Sequence, residues 1–482
     1  MLFLVGCPGV FCARMAAVPA GAGGTTYVHD LSAANKPSYG DFLGFDHVQF
    51  IVSNPKCVRQ LALHSTPRLP LLRTLSLTPP SFRTPLPRLT ADWFVARFGF
   101  RRVAYRGLET GSRELVSHVV RQGRVTFVFT TALTPAGAQL LGQDVGAHLL
   151  AHGDGVKDVA FTVSDARAVY AYAVERGARS IAAPAELTDA EGTVVTATVQ
   201  TYGDTTHTFV QRSGGGGGAA PAYAGAFLPG FRAVTVEDPL ETVTPPVGLD
   251  FIDHIVGNVA DGDMEPTVSW YEKMLAFHRF WSVDDKEMNT EFSALRSVVV
   301  ADFTEVVKMP INEPAVAKRK SQIQEYCDYY AGAGVQHIAI NTRNILVAIE
   351  RLRARGVVFL RVPATYYDDL ERRLAGAPFA VKEDLAELKR LNILLDMDEK
   401  GYLLQLFTQC IQDRPTVFLE VIQREGCSGF GAGNFKSLFE VRSEGAGGRG
   451  AGRGRGSELT HTRTQHALPP LPPTPPPPLL GH

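Results

Sequence analysis

The segment VQHIAINTRNILVAIERLRARG, residues 335–356, joins an apolar, largely β-branched run to a stretch in which apolar residues recur at helical spacing. The run is typical of a buried strand, and the stretch that follows is typical of an amphipathic helix that ends at Arg-Gly. The segment VKDVAFTVSDARAVYAYAVERGAR, residues 156–179, has the same order of strand, helix and stop. We therefore predict that the chain repeats one strand and helix unit.

Three further pairs of segments extend the repeat in the same order along both halves. FDHVQFIVSN at 45–54 resembles FIDHIVGNV at 251–259, ADWFVARFGF at 91–100 resembles VSWYEKMLAF at 268–277, and HTFVQR at 207–212 resembles TVFLEVIQR at 416–424. The recurrence predicts an α+β fold built from a duplicated module whose strands line a cavity. We assign the two copies to residues 42–212 and 231–440, joined by a glycine-rich linker at 213–230.

Three segments have no place in this repeat. Residues 1–41 form an N-terminal extension that we expect to be disordered, and residues 57–90 have no counterpart in the second copy. Residues 57–90 are rich in Pro, Arg, Ser, Thr and Leu without a period, which indicates an insertion without a fold of its own, either a long loop or translated intron. Residues 441–482 are rich in Gly and Arg and then in Pro, so we expect a disordered tail.

The composition limits the partners of the chain. Its 482 residues carry 48 basic and 49 acidic side chains spread along the body, so nothing indicates a nucleic-acid or membrane partner. No run approaches the roughly 20 apolar residues that span a bilayer. Six cysteines without metal or disulfide spacing favour a reducing compartment, and we expect a cytoplasmic protein that acts on small molecules.

Three ionisable residues lie inside apolar runs of the second copy, each 83 residues after the one before: His254, His337 and Glu420. An ionisable side chain in a buried strand is costly unless something compensates it, and one shared metal would compensate all three. Two imidazoles and a carboxylate are the ligand set that holds non-haem iron(II) with positions left open. The alternatives are hydrogen-bonded core histidines or three unrelated residues. Their counterparts in the first copy are His47, Asp158 and Gln211.

Five further motifs of the second copy occur in the order in which one enzyme family has them. They are PINEP from Pro310, KRKSQIQEY from Lys318, TYYDDL from Thr365, LLQLF from Leu403 and GFGAGNF from Gly429. With the three ionisable residues, they make residues 42–440, apart from the insertion, resemble the 4-hydroxyphenylpyruvate dioxygenases. These are iron(II) enzymes of the vicinal oxygen chelate superfamily. The resemblance implies two βαβββ modules that form open barrel-like domains, the second of them catalytic.

The resemblance also implies a reaction. One Fe²⁺ per chain would be held by His254, His337 and Glu420, and 4-hydroxyphenylpyruvate and O₂ would become homogentisate and CO₂ in tyrosine and phenylalanine catabolism. It further implies a homo-oligomer, a dimer. The family's pocket motifs place polar residues around the substrate at Ser297, Asn312, Gln322, Gln336 and Gln405. They place pocket walls at Pro310, Phe407, Phe418, Phe430, Asn434, Phe435 and Leu438.

Several alternatives stay open at this point. Each phenylalanine could be a core residue, and Gln336, next to His337, could orient that ligand instead of contacting substrate. The chain also departs from the family after Glu440, where the expected covering helix is replaced by glycine-rich sequence that disfavours a helix. A hydroxymandelate synthase, which hydroxylates the side chain of the same substrate, is one rival function. A non-catalytic binding protein is another.

Overall fold

The computed structural model describes residues 17–19, 25–32, 35–53, 88–134, 137–212, 222–236, 244–283, 295–315, 320–431 and 433–434. Most of the predicted insertion, part of the predicted linker and the whole predicted tail lie outside these residues. The predicted pocket residues Phe435 and Leu438 also lie outside them.

Strands of the first copy, together with one short strand from the start of the range assigned to the second copy, form a nine-stranded sheet in the order β10-β11-β12-β9-β3-β6-β5-β4-β13. Its strands are β3 (Phe42–Ile51), β4 (Arg101–Arg106), β5 (Leu115–Gln122), β6 (Val125–Ala132), β9 (Gly155–Val163), β10 (Ser180–Asp189), β11 (Gly192–Gln200), β12 (Thr206–Gln211) and β13 (Arg232–Ala233). A separate hairpin pairs β7 (Gln139–Leu140) with β8 (Gln143–Asp144).

Strands of the second copy, together with two short strands of the N-terminal extension, form a ten-stranded sheet in the order β1-β2-β15-β16-β17-β14-β18-β21-β20-β19. Its strands are β1 (Ala17–Pro19), β2 (Thr25–Tyr27), β14 (Leu249–Asn258), β15 (His278–Val283), β16 (Leu295–Ala301), β17 (Lys308–Pro314), β18 (Gly334–Thr342), β19 (Leu394–Met397), β20 (Tyr402–Phe407) and β21 (Phe418–Glu425).

The two sheets share one topology. β3 pairs antiparallel with β9 and parallel with β6, and β14 pairs in the same way with β18 and β17. β12 and β21 each add a parallel strand on the far side of β9 and β18. The duplicated α+β module predicted from the repeat is therefore confirmed, whereas the division into two domains at the stated residues stays a prediction.

Helices connect and cover the strands. They are α1 (Arg88–Trp93), α2 (Val145–His152), α3 (Ala166–Glu175), α4 (Met264–Leu275), α5 (Gln322–Tyr330), α6 (Ile345–Ala354), α7 (Ala364–Leu374) and α8 (Leu385–Leu391). The helices α3 and α6 follow β9 and β18, as the repeated segments predict. Each begins at a side-chain cap, Asp165 or Asn344, whose oxygen accepts a backbone N–H of the first turn. No described helix is both long and apolar enough to cross a membrane.

The expectation of disorder over residues 1–41 is wrong for part of that segment. Thr26 pairs with Trp281 of β15, and the Tyr27 hydroxyl lies 3.0 Å from Ser282 Oγ. Tyr39 is buried and donates a hydrogen bond to the Leu275 carbonyl. Because a three-residue strand carries no period of its own, only its pairing with a distant strand makes it recognisable.

Candidate metal centre and substrate pocket

The register of three neighbouring strands brings His254, His337 and Glu420 together. On β18, Ala339 is the partner of His254 on β14 and of Glu420 on β21. Paired residues share a face of the sheet, and so do residues two apart on one strand, so His337 joins them on that face. Ala339 lies between the two outer residues on this face of the sheet.

The three side chains converge on one point. Glu420 Oε2 lies 3.2 Å from His337 Nε2 and 3.5 Å from His254 Nε2, and all three side chains are buried. One ligand atom from each residue lies within 4.8 Å of the others. Glu420 Oε1 is buried without a hydrogen-bond partner among the described residues. Two imidazole nitrogens and a carboxylate oxygen that converge on one point are a donor set that fits a metal ion.

The outer nitrogen of each imidazole is held by the preceding residue. His254 Nδ1 donates to Asp253 Oδ1 at 2.8 Å, and His337 Nδ1 donates to Gln336 Oε1 at 2.9 Å. These bonds select the tautomer in which Nε2 carries the lone pair that a metal needs. The outer partner Asp253 is itself bound by Arg424, whose Nε and Nη2 lie 2.9 and 2.8 Å from its oxygens.

The electrostatic surroundings of the two imidazoles differ. Burial would lower the pKa of His254, but Asp253 and Glu420 outweigh it and the net shift is upward. Burial lowers the pKa of His337, whose outer partner is a neutral amide. Burial also opposes the charge on Asp253, yet Arg424 and His254 hold its pKa far below the ordinary value. The centre therefore keeps its carboxylates ionised and ready for a cation.

A partly open cavity lies in front of the triad. Besides the triad, it is lined by Val256, Trp281, Ser297, Pro310, Asn312, Phe407 and Phe430. Sequence reasoning missed Val256 and Trp281. Val256 lies two residues after His254 on the same strand face. Because side chains alternate between the two faces of a strand, the sequence could have predicted that Val256 lies beside His254. Trp281 follows another aromatic residue, and which of the two rings faces the pocket depends on how β15 pairs with its neighbours.

Other predicted pocket residues lie outside the lining. Phe418 stacks on the His337 ring, with centroids 4.8 Å apart, and Asn434 accepts a hydrogen bond from Tyr366. Gln405 is buried, on the strand face that also carries Phe407, and its Nε2 lacks a partner among the described residues. The remaining two are Gln336, described above, and Gln322, the first residue of α5. The assigned role of each residue stays a prediction.

The register corrects one match between the copies. On β9, Ala160 is the partner of His47 and of Thr208, just as Ala339 is the partner of His254 and Glu420. Thr208 is therefore the counterpart of Glu420, and the match to Gln211 is wrong. Gln211 instead corresponds to Gln423, since their side-chain oxygens accept the first backbone N–H of α3 and of α6. The first copy thus lacks the carboxylate as well as the second histidine.

The fold and the site define a metal-binding protein of the vicinal oxygen chelate superfamily. Residues 251–374 match the family model of the Glyoxalase/Bleomycin resistance protein/Dioxygenase superfamily. A 4-hydroxyphenylpyruvate dioxygenase of Dictyostelium discoideum is 55% identical over 352 residues, 73% of this chain and 92% of the relative. The chain belongs to the 4-hydroxyphenylpyruvate dioxygenase family and is an oxidoreductase.

Two further comparisons agree with this membership. A 4-hydroxyphenylpyruvate dioxygenase of Danio rerio is 51% identical over 406 residues, 84% of this chain and 91% of the relative. The solved structure of a mutant of 4-hydroxymandelate synthase from Streptomyces coelicolor superposes with a TM-score of 0.63 at 27% identity. That match covers 83% of this chain and 98% of the other. The resemblance drawn from the motifs is therefore confirmed.

Proposed function

We propose that this enzyme converts 4-hydroxyphenylpyruvate and O₂ into homogentisate and CO₂, using one Fe²⁺ per chain, in tyrosine and phenylalanine catabolism. The observation that carries the proposal is the buried triad, in which Glu420 Oε2 lies within 3.5 Å of both histidine Nε2 atoms. Two histidines and one carboxylate on one face are the donor set of non-haem iron(II) oxygenases. Iron(II) held there would offer its open positions to the 2-oxo acid and to O₂, and activate the O₂.

Buried amides support the binding of a polar ligand. Asn312 Nδ2 lies 3.5 Å from Asn258 Oδ1, and the Asn258 amide nitrogen has no partner among the described residues. The Gln405 amide nitrogen likewise has none. A buried donor without a good acceptor costs about 1–3 kcal/mol, and Asn312 lines the pocket, so a ligand that places an acceptor beside its amide would recover part of that free energy. The carboxylate and phenol oxygens of the proposed substrate are such acceptors.

Aromatic walls support a role in orienting a ring and excluding water. Phe430 contacts His254 with ring centroids 5.1 Å apart, and it also contacts Trp281 at 5.7 Å. Phe407 lies across the cavity beside His337, with centroids 6.0 Å apart. Rings fixed by their own packing can hold a substrate ring in one orientation, which is the positioning that a selective hydroxylation requires.

The proposal is tested by measuring oxygen uptake and product together. Purified chain loaded anaerobically with Fe²⁺ should consume O₂ on addition of 4-hydroxyphenylpyruvate and release homogentisate, identified by chromatography. The matched control is His254→Ala, which should do neither. Formation of 4-hydroxymandelate would instead assign the side-chain reaction, and absence of oxygen uptake would leave a binding protein.

We also infer that the enzyme is a cytoplasmic homodimer. Support for a reducing compartment comes from Cys327 and Cys427, which are buried and form no disulfide. Light scattering on the purified chain would measure the oligomeric state. A monomer at micromolar concentration would contradict the dimer, and co-fractionation with an organelle would contradict the location.

A further inference from the structure

The guanidinium of Arg424 contacts both a strand of the catalytic sheet, β14, and the loop that follows its own strand, β21. On one side it binds the carboxylate of Asp253 through two nitrogens. On the other side its Nη1 donates to the Gly429 carbonyl at 2.6 Å, and more weakly to the Cys427 carbonyl at 3.3 Å. The planar fork of arginine can satisfy both sets of acceptors at once, which a lysine ammonium cannot do with the same geometry.

Each of these two contacts acts on a component of the centre. Asp253 fixes the imidazole of His254, so Arg424 orients a metal ligand through one intervening carboxylate. The Gly429 carbonyl precedes Phe430, whose ring lies against His254, and Arg424 also lies over that ring at 5.2 Å. The same side chain therefore holds a ligand and the aromatic cover of the cavity.

We propose that Arg424 is a positioning residue for the reaction, which couples the orientation of His254 to the placement of Phe430 over the pocket. This inference rests on the proposed function and adds to it a residue that touches neither metal nor substrate. Without Arg424, His254 is free to rotate about an unfixed Asp253, and Phe430 loses the bond that holds its backbone. The affinity for the metal and the exclusion of water from the pocket should then both decrease.

The first copy contains the same arrangement without the ligands. Arg212 binds the Asp46 carboxylate at 2.7 and 3.0 Å, Asp46 accepts from His47 Nδ1 at 2.7 Å, and Arg212 also donates to the Phe227 carbonyl. The Phe227 ring lies 4.9 Å from the His47 ring. The counterparts of the other two ligands are Asp158 and Thr208. Arg212 is therefore a matched control, with equal structural contacts but no metal centre to position.

The experiment compares Arg424→Met with Arg212→Met in the full chain. Methionine keeps much of the apolar stem and removes the charge and the donors. Both variants should unfold at lower temperature than the wild type, by similar amounts. Co²⁺ affinity, measured from its visible absorption in competition with a chelator, should fall about 10-fold in Arg424→Met, the lower end of the loss expected when the direct partner of a ligand is removed, because Arg424 acts through Asp253. It should change less than threefold in Arg212→Met.

A second readout and a second variant complete the test. Arg424→Met should consume more O₂ than it forms product, and Arg424→Lys should recover part of the metal affinity. If Arg424→Met does not fold, Asp253→Asn and its control Asp46→Asn carry the same comparison. Equal Co²⁺ affinity in the Arg424 and Arg212 variants would overturn the inference. Because Co²⁺ binding needs no turnover, a wild type that binds Co²⁺ but ignores 4-hydroxyphenylpyruvate would refute only the proposed function.

Discussion

Replacing one histidine in each copy distinguishes the loss of a metal ligand from the loss of a buried, hydrogen-bonded histidine. His254 and His47 are both buried, and each donates from Nδ1 to a neighbouring aspartate that an arginine also binds. Only His254 faces a second histidine and a glutamate. We therefore expect His254→Ala to abolish metal binding and oxygen uptake, and His47→Ala to keep its metal.

The magnitude follows from the hydrogen bonds and from mass action. Each substitution removes a bond to a carboxylate worth about 1.5–3 kcal/mol, so both metal-free variants should lose similar stability. Metal at a hundred times its Kd stabilises a protein with one site by about 2.7 kcal/mol. With an unfolding entropy of ~2.1 cal/mol/K per residue over on the order of 350 folded residues, that corresponds to a rise in Tm of about 4 °C.

The assay is thermal unfolding with and without added Fe²⁺ or Co²⁺, under anaerobic conditions. The wild type and His47→Ala should both show the rise in Tm, and His254→Ala should show none. An equal rise in all three proteins would refute the assignment of the metal to the second copy. Loss of the rise in His47→Ala alone would place the metal in the first copy.

Further expectations concern the pocket, the termini and the pH dependence. Asn312→Ala should raise KM about 2- to 12-fold, the equivalent of one hydrogen bond. Deleting residues 58–87, which stops short of α1, should leave Tm unchanged, and loss of folding would contradict the insertion. Grafting a helix-forming segment after Glu440 should bring O₂ consumed and homogentisate formed to a one-to-one ratio, and tight coupling without the graft would refute the predicted defect. Burial lowers the pKa of His148 to about 3, so the folded state stays neutral there while the unfolded chain takes up a proton below about pH 6.5. Stability should therefore fall as the pH drops below 6.5, by up to about 1.4 kcal/mol per unit, and His148→Leu should flatten that slope in denaturant titrations at pH 6.5 and 4.5.

Most of the fold could be predicted from the repeat in the sequence. Strands β9 and β18 and the helices that follow them are visible as periods in the sequence, and each helix has a capping residue at its start. The metal triad was also accessible, because an ionisable residue inside an apolar run is conspicuous. The match of Glu420 to Gln211 failed because the similarity of short strands tolerates a shift of a few residues, and only the ladder through Ala339 and Ala160 sets the register.

Residue type and local period were enough to predict which residues could bind a metal and that the module is duplicated. Which side chains meet could be learned only from the way the strands pair. Trp281 reaches the cavity through the pairing of β15 with β16, and Arg424 binds Asp253 because β14 and β21, which are 171 residues apart at this contact, lie in the same sheet. Such contacts depend on strand register and on which face of the sheet each side chain lies. Neither property can be inferred from the local period of a single segment.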